Sequence, residues 1–462
     1  MLRFKFAGCL ALFLLASIAT HAQAPKSLSL KYLLQRVTEA APALLTDSSA
    51  ILVKDAQARE ASLNWLPNLK LNYQANLGTN NNVAGPYFGY GIVPSNNRGV
   101  RDESNTTTVL SNLGIASLDW EVYNFGAYHA QNQSASAEVE VEKSRFARSK
   151  YSLETFTIEN YLQLMRLQEL ETIQLFNIER NQEIRRSIRA LARSGLRPGV
   201  DTSIAEAELS KSRLNYIELI NQSKQVRLQL SAISGLPYES IIPDTTAESK
   251  LFAQSAQVKM FNTDTLNHPL VNYYRSLYNS SIRREEVVKS SYSPKVMLQA
   301  AVWGRGASLD AEQNFKPLHS GWGFQRENYL VGLGVTYNLF DIKRKQVKLS
   351  SQKLASRYAL NKLHEQRTLL TAGAIQADAN VNTALERLNE IPKQLKAAQA
   401  AYRQKFALYK NGLTDIIELN AALNLLYRAE TDHVSAKYSY VQALFQKAVA
   451  ENQVSTVINF LN

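Results

Sequence analysis

Two spacings occur twice in this chain. The interval from Pro42 to Pro67 equals that from Pro269 to Pro294, and the interval from Trp120 to Gly195 equals that from Tyr337 to Gly412. Each half thus carries a helical lead-in, a proline, an alternating strand, a loop, a second strand, a very long helical run and a Gly-Leu turn. The period is close to half the chain, far beyond any solenoid unit, so what is duplicated is an architecture.

Neither Gly nor Pro occurs anywhere between Ala127 and Arg193. As one helix this run would extend roughly 100 Å. Residues 342–411 form a similar run, interrupted by Gly373 and by Pro392, where a kink is expected. Leu153, Phe156, Tyr161, Leu164, Leu167, Leu170 and Ile173 follow helical spacing and predict a coiled-coil-like seam. Gly195-Leu196 and Gly412-Leu413 close these helices and open returning ones, the pattern of an αα-hairpin with a glycine C-cap.

The strands alternate strictly. Leu69, Leu71, Tyr73, Ala75 and Leu77 share one face, and Asn68, Lys70, Asn72, Gln74 and Asn76 the other. That is the length and pattern of a transmembrane β-strand with a polar lumen, or of an edge strand in a soluble sandwich. Val296, Leu298, Ala300 and Val302 share a face in the second half, as do Tyr329, Val331, Leu333, Val335 and Tyr337. The pattern of 108–123 does not assign its lipid face. Tyr73, Trp120, Trp303, Tyr329 and Tyr337 are candidate membrane-interface aromatics. Long Gly- and Asn-rich loops at 79–105 and 304–327 suit the outer face of a barrel.

Arg3, Lys5 and the apolar run Cys9 to Ala19, followed by Thr20-His21-Ala22, read as a signal peptide over 1–22. Cys9 would leave with it, so no disulfide or thiolate metal site is expected in the mature chain. The net charge of +12 is spread along helices among acidic neighbours, which favours solvated faces over a nucleic-acid partner. The six His residues show no ligand spacing, and no nucleophile or phosphate-binding motif is present. An enzyme, a metal site and a bound cofactor are therefore not expected. The organisation expected is a first repeat over 23–236, a linker over 237–266 and a second repeat over 267–462. Strands are expected at about 68–78, 108–123, 295–303 and 329–340, long helices over 127–193 and 342–411, and return helices over 202–233 and 415–452.

Four strands cannot close a membrane barrel, and lipid does not tolerate an open sheet edge. A chain of this kind that crosses a membrane must share its barrel with other copies, and its long helices need neighbours to close a wall. These counts do not set the number of copies. The rival reading is an exported coiled-coil scaffold or adhesin, which leaves the matched strand pairs unexplained.

The doubled order, together with the junctions Trp120-Glu121-Val122-Tyr123-Asn124-Phe125-Gly126 and Tyr337-Asn338-Leu339-Phe340-Asp341, resembles the TolC family of outer-membrane efflux and secretion channels. The tips Gly195-Leu196-Arg197-Pro198-Gly199-Val200-Asp201 and Gly412-Leu413-Thr414-Asp415-Ile416-Ile417-Glu418 carry the same resemblance. Neither junction has the family's proline. The resemblance implies an α+β membrane protein: a homotrimer whose four strands per chain join a twelve-stranded barrel in outer-membrane lipid, continued by a periplasmic α-helical coiled-coil barrel. It further implies a periplasmic adaptor protein and an inner-membrane efflux transporter or exporter docking at the tips, on Gly195, Leu196, Arg197, Gly412, Leu413 and Thr414. A gate is implied in which Asp201 links to Tyr409. The family's second link, an Arg to a Thr, is absent, since those positions hold Thr414 and Val200. Glu418, with Asp415 beside it, matches an inward acidic ring, although both are also ordinary first-turn helix residues.

Overall fold

The computed structural model describes residues 27–82, 100, 102–195, 197–244 and 267–456. The expected signal peptide, Leu196, most of loop 79–105 and most of the 237–266 linker lie outside these residues. The elements are α1 (Leu30–Ala40), α2 (Pro42–Ser62), β1 (Asn68–Thr79), β2 (Thr108–Tyr123), α3 (Ala127–Arg193) and α4 (Gly199–Ser234). They continue with α5 (Pro269–Ser291), β3 (Lys295–Ala307), β4 (Arg326–Thr336), α6 (Asp341–Lys410) and α7 (Ile416–Ala450). No helix among the described residues is long and apolar enough to cross a membrane.

Several bounds differ from the expected ones for local reasons. α4 starts at Gly199 rather than 202 because Pro198, with φ −62°, is fixed as its N-cap. β4 stops at Thr336 because Asn338 closes a turn: its side chain accepts the Phe340 N–H at 3.2 Å and its carbonyl accepts the Asp341 N–H at 3.0 Å. β3 continues past 303 to Ala307, still paired with β2. α6 runs unbroken through Pro392.

Contacts divide the chain into two units that cut across the repeats: 53–139 with 279–358, and the remainder. The strand-bearing unit holds one antiparallel sheet in the order β1-β2-β3-β4. Its register settles the faces. Tyr73 pairs with Gly114, Gly114 with Gly304, and Gly304 with Glu327; Leu69 pairs with Leu118, Leu118 with Ala300, and Ala300 with Val331. Side chains of paired residues share a face. One face therefore carries Leu69, Leu71, Tyr73, Leu77, Leu110, Leu118, Trp120, Leu298, Val302, Tyr329, Val331, Leu333 and Val335. The other is polar, with Asp119 accepting from Gln299 at 3.0 Å and Glu121 paired with Lys295 at 2.8 Å.

Register thus supplies what the pattern of 108–123 lacked: Leu110, Leu118 and Trp120 lie on the apolar face. It also corrects Trp303. That residue sits in the row Asn72–Ile115–Trp303–Asn328, on the polar face, because its neighbours Val302 and Gly304 occupy the apolar one. β1 and β4 each have one unpaired edge among the described residues.

The helical unit packs around α3. Ile158, Tyr161, Leu164 and Met165 meet Leu33 and Val37 of α1, Leu230 of α4 and Phe445 of α7. α1 is amphipathic, with Leu30, Leu33, Leu34 and Val37 buried, and Ser29 caps it. Tyr161 ties the layer to the preceding chain, donating to the Leu28 carbonyl at 2.8 Å and accepting from the Asp244 N–H at 2.9 Å. The seam differs in part from the expected one. Phe156 is exposed, and Ile158, next but one along the helix, is fully buried in its place. Towards the tip the seam turns polar: Gln174, Asn177 and Asn181 are buried and bonded to Ser212. A buried polar layer of this kind fixes the register of α3 on α4.

Candidate functional site

The two hairpin tips meet in the helical unit. Gly195 and Gly412 hold φ +74° and +76°, the left-handed conformation that ends α3 and α6. The Leu413 N–H returns to the Leu408 carbonyl at 3.0 Å, so the second turn is a Schellman motif. Asp415 is spent as the N-cap of α7, its carboxylate accepting the Glu418 N–H at 2.9 Å. The first tip has no side-chain cap, because Pro198 occupies the equivalent role.

Beneath the turns, Tyr409 lies in a small core with Ile184, Ile188, Ala205, Ile416, Leu419 and Leu423. It is 1% exposed, and its hydroxyl has no hydrogen-bond partner. Asp201 is buried close by, and its charge, after burial itself, raises the Tyr409 pKa. The expected hydrogen-bonded Asp201–Tyr409 link is therefore not made within the protomer. The connection runs through Arg197 instead. Its guanidinium lies 4.9 Å from the centre of the Tyr409 ring and donates to the Thr414 carbonyl at 2.5 Å. Arg197 stands at the second position after the first tip glycine and Thr414 at the second after the other, so equivalent positions of the two repeats touch.

Glu418 is fully exposed yet engaged. It accepts from Lys405 and, at 2.7 Å, from the Thr414 hydroxyl; these contacts lower its pKa, Lys405 contributing most. An acidic ring built from Glu418 and Asp415 is thus partly neutralised by Lys405 and by capping. Leu413, Val200 and Ile417 are exposed at 72%, 61% and 69%, giving the tips an apolar surface that residue chemistry alone did not single out. Lys405 and Arg197 were missed for a common reason. Each acts across a turn, and the signal available was only their placement relative to Gly412 and Gly195.

Of the interface aromatics, Tyr73, Trp120 and Tyr329 lie on the apolar face, and Tyr337 directly follows the end of β4. The Trp120 indole N–H donates to the Trp65 carbonyl at 2.9 Å, which leaves its ring on the wall and satisfies its polar atom.

A sheet with one apolar and one polar face, joined to hairpins of helices up to 70 residues long, defines a channel-forming outer-membrane protein of mixed strand and helical-barrel type. The sequence profile of the outer membrane efflux protein family matches residues 33–236 and 289–446, and the chain belongs to that family. Among solved structures it is similar to the CmeC outer membrane channel of Campylobacter jejuni, with 14% identity, 94% of this chain and 90% of that one covered, and a TM-score of 0.72. VceC of Vibrio cholerae matches at 13% identity over 91% and 95% of the two chains, TM-score 0.71. The open state of the Neisseria gonorrhoeae MtrE channel matches at 15% over 92% and 89%, TM-score 0.65. At these identities the likeness is one of fold. No curated protein sequence matches significantly. The chain is accordingly an efflux-channel protein of the outer membrane.

Proposed function

We propose that three copies of this chain form the exit duct of a tripartite efflux pump or a type I secretion system. The observation that carries the assembly is the four-stranded meander with two open edges and one apolar face. An even number of alternating strands lets β4 of one copy pair antiparallel with β1 of the next, and the ring then closes without a mismatched pair. Two copies would give the minimum of about eight strands, and three give about twelve. The resemblance favours three. Tyr73, Trp120, Tyr329 and Tyr337 would then contact the lipid interface, while Trp303, Lys70 and Arg305 line the water-filled lumen.

The hairpin tips are the receiving surface for a periplasmic adaptor and an inner-membrane transporter. Exposed Leu413, Val200 and Ile417 beside the glycine turns support that reading. The Arg197–Thr414 link and the Tyr409 core act as the gate, holding one hairpin tip against the other. Cysteines at Asn72 of β1 and Gly332 of β4, on the polar face, test the ring. Oxidation of detergent-solubilised protein is expected to give a covalent ladder ending at three chains. A protein that stays monomeric and soluble without detergent would leave the scaffold reading standing.

A further inference from the structure

The loop between β3 and β4 does not stand up from the sheet; it folds back over it. We propose that its Leu318–Phe324 segment is a lipid-docking flap, seated on the outer wall of the barrel and contacting the acyl-chain and headgroup boundary of the outer leaflet. The inference rests on the barrel reading above.

Three observations place it. First, the side of the sheet is fixed by what the flap touches. A methyl built on Gly114 would meet the Phe324 ring at 2.7 Å and one on Gly304 at 2.8 Å, and the same ring lies edge-on to Tyr73 at 6.4 Å. Gly114, Gly304 and Tyr73 all belong to the apolar face. Second, the flap fills a defect in that face. The adjacent row holds Asn112 paired with Gly306, a bare amide and a missing side chain where lipid requires apolar surface. The Asn112 amide instead donates to the Trp322 carbonyl at 2.5 Å, and the residue is 3% exposed. A methyl on Gly306 would overlap the Gly323 carbonyl, and one on Gly321 the Leu110 carbonyl, so glycines on both partners allow the close approach. The Gln325 N–H bonds the Arg305 carbonyl at 2.8 Å and anchors the returning end. Third, Leu318, Trp322 and Phe324 remain largely exposed on a wall whose other members, Tyr73, Tyr329 and Val331, are themselves lipid-facing.

Height supports the same assignment. The strand from Trp120 to Leu110 spans about 33 Å, which at a tilt near 40° is about 25 Å, the thickness of a barrel's apolar band. Leu110 and Asn112 thus sit at the outer boundary of that band, where an indole with one polar and one apolar edge is most stable.

The chain has four Trp residues, so variants retaining one each can be compared by changing the other three to Phe. In vesicles of brominated phosphatidylcholine, the Trp322-only protein is expected to lose emission comparably with the Trp120-only protein. The Trp303-only protein is expected to respond to aqueous acrylamide alone. Quenching of Trp120 without Trp322 would overturn the flap and leave the barrel intact, including the case in which Trp322 is hidden against a second copy. Absence of lipid quenching at both would overturn the barrel reading itself. Should the variants fail to fold, wild-type channel photolabelled with a diazirine phosphatidylcholine gives the same answer: label on 318–324 is expected, and label on β1 and β4 without it refutes the flap.

Discussion

Replacing Arg197 with Met tests the gate most directly. The aliphatic stem is kept, while the guanidinium–carbonyl bond to Thr414 and the cation–π contact with Tyr409 are both lost. A fully buried bond from a charged donor is worth about 1.5–3 kcal/mol. Arg197 is only half-buried, so about 1 kcal/mol is the appropriate share. The ring contact adds about 0.5–1 kcal/mol. Together the link holds the hairpins with about 1.5–2 kcal/mol in each protomer, a factor of roughly 10–30 in its opening equilibrium. If the three tips release one at a time, open probability in planar bilayers should rise by about that factor; concerted release cubes it. Arg197→Lys should fall between, since an ammonium keeps the charge but not the planar fork. Single-channel traces of the Met variant with wild-type conductance and open probability would refute the argument, because no other contact across the turns among the described residues compensates in kind.

Tyr409→Phe should act in the opposite direction: it removes a buried hydroxyl without a partner, and the urea midpoint is expected to rise by the equivalent of about 1 kcal/mol. On β4, Leu333→Arg places a charge on the apolar face and should cost about 2–4 kcal/mol of barrel stability in vesicles. Gly332→Arg, at the adjacent position on the lumen side, meets no atom within 4 Å and should be tolerated; equal effects would disprove the face assignment. His268 is held neutral, its Nδ1 accepting the Leu270 N–H at 3.1 Å and its Nε2 donating to the Val449 carbonyl at 3.2 Å. Burial lowers its pKa below the ordinary 6.5, partly offset by the Val449 bond. The unfolded chain then binds more protons below that ordinary value, so this contribution is complete above it and is lost as pH falls towards the folded pKa. Tm measured from neutral to mildly acidic pH should decline less steeply in His268→Gln, and parallel slopes would exclude the residue.

Much of this architecture was legible because it depends on local rules. The run from Ala127 to Arg193, free of Gly and Pro, leaves the chain little alternative to helix, and strict alternation in 68–77 leaves little alternative to a strand with two unlike faces. What stayed hidden depends on register. The faces of β2 could not be read because Leu113 and Ile115 dilute the polar side and Asn112 and Gly114 dilute the apolar one. Pairing with β1 decides the matter at once. Trp303 was misassigned by residue type, although its neighbours' alternation already placed it on the other face. The flap was invisible for a further reason: glycines in 304–323 read as loop flexibility, whereas they are contact surfaces matched to glycines in the strands.

The tip shows what duplication can and cannot transmit. A repeated sequence builds repeated helices and brings equivalent turns to the same height, which is why Arg197 and Thr414 can touch at all. Identical residues there would have been poor partners, since two arginines repel and two threonines cannot span the gap. The link exists because the copies have diverged, one supplying a cation and the other a bare carbonyl beside a buried ring. The same divergence gives the second hairpin an Asp415 cap and a Glu418–Lys405 bridge, while the first keeps only Pro198. The second turn is accordingly the stiffer of the two. A gate that opens by breaking the Arg197 contact would therefore move the second hairpin as a rigid body and take up its strain at the uncapped first tip.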